Sequence, residues 1–398
     1  MGTRGPASRK RHPPLRAVAS VCLLAAAIGC PGDREPQKPQ NHHGFASVAP
    51  TTPPAIRAEM SLVAAWQLAH PEGEPHQWTN AVLYAGIMAA YRATADPDYL
   101  AVATRMAASE NWQPGPRTRH ADDHAIAQTY LDLSRIHDDP RMREPFRAVL
   151  EDMMAQPPRW KKKYQTIDYW WADALFMSPP AVAKLSRLTG DDRYLHFLDR
   201  LWRQAHELLY DAEENLFYRD ARYLPKAGGT KIFWSRANGW VLAGTALLLD
   251  EMPEDHPGRL FYVEILEAMA RRVSDLQPPD GLWRSALLGP SPGAPGETSA
   301  TALFCYALAW GVNRGFLDRN RSLPVIRRAW AGLHRNLDVE GRLGWVQPPA
   351  AEPGAVTESD TAPYGAGAFL LAASEMLELA EQTGTSSRRD PTPEPSDN

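Results

Sequence analysis

Cysteine is scarce in this chain, with three residues in 398, at Cys22, Cys30 and Cys305. Cys22 and Cys30 fall in the N-terminal segment, so the folded part keeps one thiol and no disulfide can form within it. Cys305 sits in the apolar run 302–309 and reads as a core thiol rather than a nucleophile. A surplus of one charge is also missing. Lys and Arg number 43 against 47 Asp and Glu, a net charge of −4, which gives no polybasic surface for nucleic acid or an anionic membrane. The apolar run from Ala17 to Ile28 is too short to cross a bilayer as a helix. There is no Gly-rich phosphate loop, no Gly-x-Ser-x-Gly elbow, no dinucleotide fingerprint and no zinc or calcium motif. Nothing in the sequence asks for a metal or a cofactor.

What is present begins with an export signal. Arg4, Arg9, Lys10, Arg11 and Arg16 form a basic region ahead of the apolar run, and Ala27-Ile28-Gly29-Cys30 resembles a bacterial lipidation site. The expected organisation is a lipoprotein-type signal over 1–30, a Pro- and Gln-rich tether over 31–54, a folded domain over 55–382 and a disordered tail over 383–398. The protein is expected to be exported and held in the cell envelope by its lipid, facing the periplasm or the exterior.

Across the folded span the apolar periodicity is helical almost throughout. Ile126, Tyr130, Leu133 and Ile136 share a face, as do Val182, Leu185 and Leu188. The punctuation repeats about every 45 to 50 residues, as in Ala95-Asp96-Pro97, His137-Asp138-Asp139-Pro140 and Thr189-Gly190-Asp191, the period of a helical hairpin. Long loops rich in Trp, Pro and Gly, at 70–78 and 278–296, are unlike the uniform turns of a solenoid. The reading is all-α, an (α/α)6 barrel closed on itself with a loop-lined mouth.

Tryptophan is more frequent than phenylalanine, 13 against 10, and two strings concentrate it. In Trp170-Trp171-Ala172-Asp173-Ala174-Leu175-Phe176-Met177 a lone carboxylate stands among apolar rings, which raises its pKa. Ser178-Pro179 after it reads as a helix N-cap with Pro at the first helical position. In Trp234-Ser235-Arg236-Ala237-Asn238-Gly239-Trp240 a lone guanidinium lies between two indoles. Asn238-Gly239 reads as a turn before a helix from Trp240 to Leu249. Indole faces stack on the apolar face of a sugar ring, and Arg grips a carboxylate through paired hydrogen bonds, so the two strings suit an acidic sugar. A third string, Arg119-His120-Ala121-Asp122-Asp123-His124, opens a helix expected to run on to Ile136. One of its aspartates can face the mouth while the other caps, and an inward one would push Asp173 up by like-charge repulsion. His124 is a candidate substrate contact. Gln77-Trp78-Thr79-Asn80 and Glu297-Thr298-Ser299 are either polar contacts at the mouth or simple caps.

WWADALFMSPP, FWSRANGW and ADDHAIAQTYL, in one hairpin-repeat chain, resemble the unsaturated glucuronyl and rhamnogalacturonyl hydrolases of glycoside hydrolase families 105 and 88. The likeness runs from about Ala55 to Glu381. It implies an (α/α)6 barrel and hydrolysis without metal or nucleotide. The substrate it implies is an oligosaccharide whose non-reducing end carries the 4,5-unsaturated uronic acid left by a polysaccharide lyase. An acid protonates C4 of that vinyl ether, water adds at C5 with the same group now acting as base, and the hemiketal collapses to release the next sugar. By motif position Asp173 matches the acid/base, and Asp122 or Asp123 the second acidic residue, with Asp122 favoured. Trp234, Arg236 and Trp240 match the substrate-binding set, which Trp170, Trp171, Trp78 and His124 extend. The sequence departs from the pattern at Phe217–Tyr223, where rhamnogalacturonan-specific members tend to have a His, and at Ala237, where many have Gly. Lys161-Lys162-Lys163 adds either charge near the mouth or solvated surface. The competing readings are a non-catalytic glycan-binding lipoprotein and another sugar enzyme on the same barrel, such as an epimerase, which would require a His pair. Oligomeric state is not legible.

Overall fold

The computed structural model describes residues 49–158, 162–225, 230–289 and 294–386. The signal, most of the tether, Lys161 and the tail beyond 386 lie outside the described residues. Fourteen α-helices are present among those residues: α1 Pro53–Ala69, α2 Trp78–Thr94, α3 Pro97–Ser109, α4 Ala121–His124, α5 Ala127–His137, α6 Glu144–Ala155, α7 Ala174–Met177, α8 Pro179–Thr189, α9 Arg193–Leu209, α10 Ser235–Glu251, α11 Arg259–Asp275, α12 Thr298–Asn313, α13 Arg319–His334 and α14 Pro363–Ser386. A two-stranded antiparallel ribbon, β1 Tyr210–Asp211 with β2 Leu216–Phe217, follows α9.

The helices form two concentric rings. α2 packs on α5, α5 on α8, α8 on α10, α10 on α12, α12 on α14, and α14 returns to α2. The helices of this inner ring are buried over most of their surface, and where they bury charge it is paired, as Asp132 of α5 is with Arg92 of α2 and Lys184 of α8. In α12, Thr298 through Val312 are all buried. Outside it, α1, α3, α9, α11 and α13 pack on inner helices with one apolar face each. α9 shows why: Tyr194, Leu198, Leu201, Trp202, Ala205 and Leu209 face inward, and charged residues separate them. The ring closes by backbone contact. A Cβ placed on Gly86 of α2 would lie 2.4 Å from the carbonyl oxygen of Gly367 in α14.

The hairpin punctuation has a common mechanism. Ala95 ends α2 in the left-handed conformation, Asp96 then accepts from the Asp98 N–H, and Pro97 opens α3. Asp138 and Asp139 repeat the device before Pro140, and Gly190 ends α8 the same way. Cys305 is fully buried, and burial pushes its thiol up to about 12, as befits a core side chain.

Three local expectations are corrected, and one left open is decided. The helix expected from Arg119 to Ile136 breaks at Ala125-Ile126 into α4 and α5, and Ile136 is exposed. Ser178 does precede α8, but its hydroxyl does not cap the helix; it meets His124 and Tyr169 instead. Asn238-Gly239 is no turn, for α10 already begins at Ser235. Glu297, in turn, is a true cap, accepting from the backbone N–H groups of Ser299 and Ala300.

Candidate active site

The inner helices α2 and α10, with the short helices α4 and α7 that lead into α5 and α8, bring their N-terminal ends to one mouth of the ring. There they enclose a cavity of about 260 Å³, lined by Trp78, Asp122, Trp171, Asp173, Met177, Arg219, Trp234, Arg236, Trp240, Pro349 and Ala350. Helix N-termini carry partial positive charge, so the mouth favours an anionic ligand. Indoles supply much of the wall. Trp78 stacks on Tyr364 at 5.0 Å and meets Trp240 edge-on, while Trp240 leans on Phe176.

Asp173 stands at the N-cap of α7 and is 8% exposed. Its Oδ2 is buried without a hydrogen bond, and Arg219 Nε lies 3.3 Å from it. Burial pushes this carboxyl up, against the opposing pull of the Arg219 and Arg236 guanidinium groups. Asp122, partly open to the cavity, is pushed up to about 7 by burial and by the like charge of Asp173. Both carboxyls therefore hold their protons above the ordinary carboxylate range, and Asp122 feels the charge of Asp173 directly.

Three of the expected site residues stand outside the cavity wall. Asp123 turns the other way and staples the 115–117 loop. It accepts from the Arg117 backbone N–H at 2.7 Å and from Arg117 Nε at 3.0 Å. Burial works against its charge, but these bonds outweigh it and hold the carboxyl below the usual range. His124 is buried between Ser178 Oγ and the Thr118 carbonyl, each at 2.8 Å. A carbonyl only accepts, so Nε2 carries the proton and Nδ1 accepts from the serine. Burial lowers its pKa and keeps the ring neutral. Trp170 lies one layer back, against Trp171, Tyr164 and the Arg219 guanidinium.

Arg236 is 1% exposed and has no carboxylate partner among the described residues. Its guanidinium sits 4.5 Å over Trp234 and 5.0 Å from the Tyr364 ring. One Nη donates to the Gln347 carbonyl and to Tyr364, the other to the Pro348 carbonyl at 2.9 Å. Most of its donors thus fasten the 347–350 loop rather than remaining free for a carboxylate, while Nε stays buried without a partner. Its positive charge, however, is matched by no direct ion pair among the described residues and acts across the cavity on Asp173. Such a charge calls for an anion.

This double ring and mouth have relatives. A profile of Glycosyl Hydrolase Family 88 matches residues 55–380. The chain belongs to glycosyl hydrolase family 88. It is a glycosidase. An unsaturated 3S-rhamnoglycuronyl hydrolase of Formosa agariphila is 39% identical over 344 residues, covering 82% of this chain and 91% of that protein. Among solved structures, a glycosyl hydrolase family 88 protein from Bacteroides vulgatus superposes with a TM-score of 0.74 at 30% identity, covering 82% of this chain and 99% of that one. A structure named as a polysaccharide lyase gives 0.76 at 34% identity, covering 83% and 98%.

The glycosidase places further residues at its mouth, some from the less specific strings and one, Gln347, from none. Gln347 accepts from Trp234 Nε1 at 2.8 Å, and its own backbone N–H donates to Glu297 at 3.0 Å. The carboxylate that caps α12 therefore also holds the loop that holds Trp234 and Arg236. Asn80 does similar service at the other rim, donating to the Glu72 and Glu74 carbonyls and so fixing the loop before Trp78. Arg219 arrives beside Asp173 because the Ala172 N–H donates to the Arg219 carbonyl at 2.8 Å and Trp171 bridges Asp220. In the sequence Arg219 shows only within the stretch 217–223 that departs from the family pattern.

Proposed function

We propose that this glycosidase removes a 4,5-unsaturated uronic acid from the non-reducing end of lyase-generated oligosaccharides, with Asp173 as the group that protonates C4. The supporting observation is Asp173 itself: a buried carboxyl with an unbonded oxygen, raised towards its acid form, in a cavity walled by indoles and two guanidinium groups. The indoles receive the apolar face of the ring, and the charge of Arg236 at the cavity wall draws the sugar carboxylate inward. Protonation of C4 leaves an oxocarbenium-like centre at C5. Asp173, now ionised, takes a proton from the water that adds there, and the hemiketal collapses with release of the next sugar. Burial keeps Asp173 from ionising too readily, and the like charge of Asp220 adds to it. A positioned proton donor contributes about 10²- to 10⁴-fold to such a step.

The relative named for 3S-rhamnoglycuronyl units supports rhamnose as the sugar released. Incubation with unsaturated uronyl-rhamnose, pectic and glycosaminoglycan disaccharides tests both points. The ultraviolet absorbance of the conjugated double bond should fall, fastest with the rhamnose-linked substrate. A rise in absorbance from intact polysaccharide would instead mark a lyase, the activity named for one structural neighbour.

The pH profile follows from the carboxyl pair. Both groups have raised pKa values, so the proton-donating form persists above the ordinary carboxylate range and is lost as pH rises through the raised pKa. Above that point kcat/KM should fall about tenfold per pH unit. A profile flat up to the pH of unfolding would remove the carboxyl pair from the mechanism.

We also propose export and lipidation at Cys30, on the strength of the basic segment and apolar run before it. Expressed in a bacterium with its N-terminus intact, the chain should partition with membranes, and Cys30→Ser should release it.

A further inference from the structure

Asp173 and Arg219 meet in the cavity as two incomplete partners. Arg219 Nε and Asp173 Oδ2 are 3.3 Å apart, and both are shut from solvent, yet neither makes a hydrogen bond. The contact is ionic but poorly aligned, and therefore easily exchanged. Arg219 itself is well anchored. Its Nη1 donates to Asp220 at 2.6 Å, and Asp220 is fully buried between Arg219 and Arg222. The guanidinium thus stays in place while its remaining N–H groups are free to choose between Asp173 and an anion entering the cavity. Arg236 lacks that freedom, since its Nη groups hold the Gln347 and Pro348 carbonyls.

We propose that Arg219 is a positioning residue that exchanges Asp173 for the substrate's carboxylate, so that binding of the uronic acid loads one proton onto Asp173. The proposal rests on the uronyl-hydrolase reading above. Before substrate enters, the Arg219 charge favours the ionised form of Asp173. The arriving carboxylate takes the free guanidinium N–H groups and cancels that field. Asp173, buried beside Asp122, then takes one proton from the solvent. No substrate bond changes in this step, and the same proton is the one next delivered to C4. The acid is charged by the substrate it will act upon.

The neighbouring groups fix the proton count. Asp173 is faced by Arg219 and Asp220 from the segment after β2, by Arg236 from α10 and by Asp122 from α4. The guanidinium groups keep their charge throughout. Asp220 stays ionised: burial opposes its charge, but two guanidinium groups outweigh it. Beside Asp122 lie Arg117, ion-paired with Asp123, and His120, whose pKa burial lowers to about 4, so that it remains neutral. Only Asp122 and Asp173 can take up the proton.

A saturated uronyl-rhamnose disaccharide, which lacks the C4=C5 bond, binds without reacting and serves as the probe. Its titration into the full chain at mildly alkaline pH, in buffers of different ionisation enthalpy, reads the protons taken up. The expected result is close to one proton per disaccharide for the wild type. Arg219→Met should bind about tenfold more weakly, with uptake near zero, because Asp173 is already protonated. Its alkaline limb in kcat/KM should also move to higher pH, whereas Arg219→Lys keeps the wild-type limb. A merely structural Arg219 would lower activity equally at every pH. Absence of proton uptake by the wild type overturns the proposal without any variant, and so does equal uptake by Arg219→Met. If that wild type still consumes the unsaturated disaccharide, the hydrolase reading stands and only the exchange falls. If it consumes no unsaturated uronate, both fall together.

Discussion

Asp173→Asn should lower kcat on an unsaturated uronyl disaccharide by about 10²- to 10⁴-fold while leaving the protein folded. The amide fits the same N-cap position of α7, and its side chain needs no new room. It cannot deliver a proton to carbon. The stability argument has a definite sign. A carboxyl whose pKa is raised on folding costs stability wherever it is ionised, which is above its unfolded pKa. A neutral replacement removes that cost at neutral pH, although it leaves Arg219 and Arg236 with less negative charge nearby. Thermal melting should therefore stay close to that of the wild type while substrate absorbance no longer falls. Activity near wild type in a folded Asn variant would remove Asp173 from the chemistry and leave Asp122 as the donor.

Gly244→Ala should be damaging at a distance. A Cβ on Gly244 would stand 2.3 Å from the carbonyl oxygen of Leu175 and 2.7 Å from the Phe176 Cα. Both atoms belong to the backbone of α7, so no side chain can swing aside. Either α10 or α7 must shift, and overpacking of this kind costs about 1–3 kcal/mol. The catalytic cost should be larger than the cost in stability. Asp173 begins α7, and misplacing a reacting group by about 1 Å can lower a rate on the order of 10²-fold. Gly190→Ala supplies the contrast. Gly190 has φ +68° with open space around it, so alanine there costs about 1–2 kcal/mol of backbone strain alone. That variant should melt earlier yet turn over substrate normally. A Gly244→Ala enzyme with full kcat would show that α7 tolerates the displacement.

Much of the mouth was legible because its residues sit in short contiguous strings. Asp122, Asp173, Trp234, Arg236 and Trp240 all line the cavity, since each string stands at the start of an inner helix or of the short helix that leads into one. The choice between Asp122 and Asp123 needed the structure, because adjacent residues on a helix start point apart and only the Gly115–Arg117 loop decides which is claimed. Arg219 was visible only as part of the departing stretch 217–223, and Gln347 was not legible at all. Each reaches the cavity through pairing with a distant segment, which no local pattern encodes. Asn238-Gly239 misled for a physical reason. The dipeptide favours a turn in isolation. Here the Asn238 amide spans the Phe217 N–H and carbonyl, and Gly239 admits Leu303 so closely that a Cβ would lie 3.1 Å away. Tertiary contacts satisfy locally what a turn would otherwise have satisfied.

The seam between α2 and α14 also sets a timetable. Gly86 and Gly367 touch, and 281 residues of chain separate them. On the ribosome, the apolar flank of α2 that belongs to α14 has no partner until nearly the whole sequence has emerged. Contacts of such separation form late and slow the overall folding rate. Until then the chain is an open horseshoe with two adhesive ends, prone to join another copy instead of itself. Trimming the C-terminal helix should therefore do more than shorten the protein. It should leave that horseshoe as the end state, with aggregation the outcome for a chain that can no longer close.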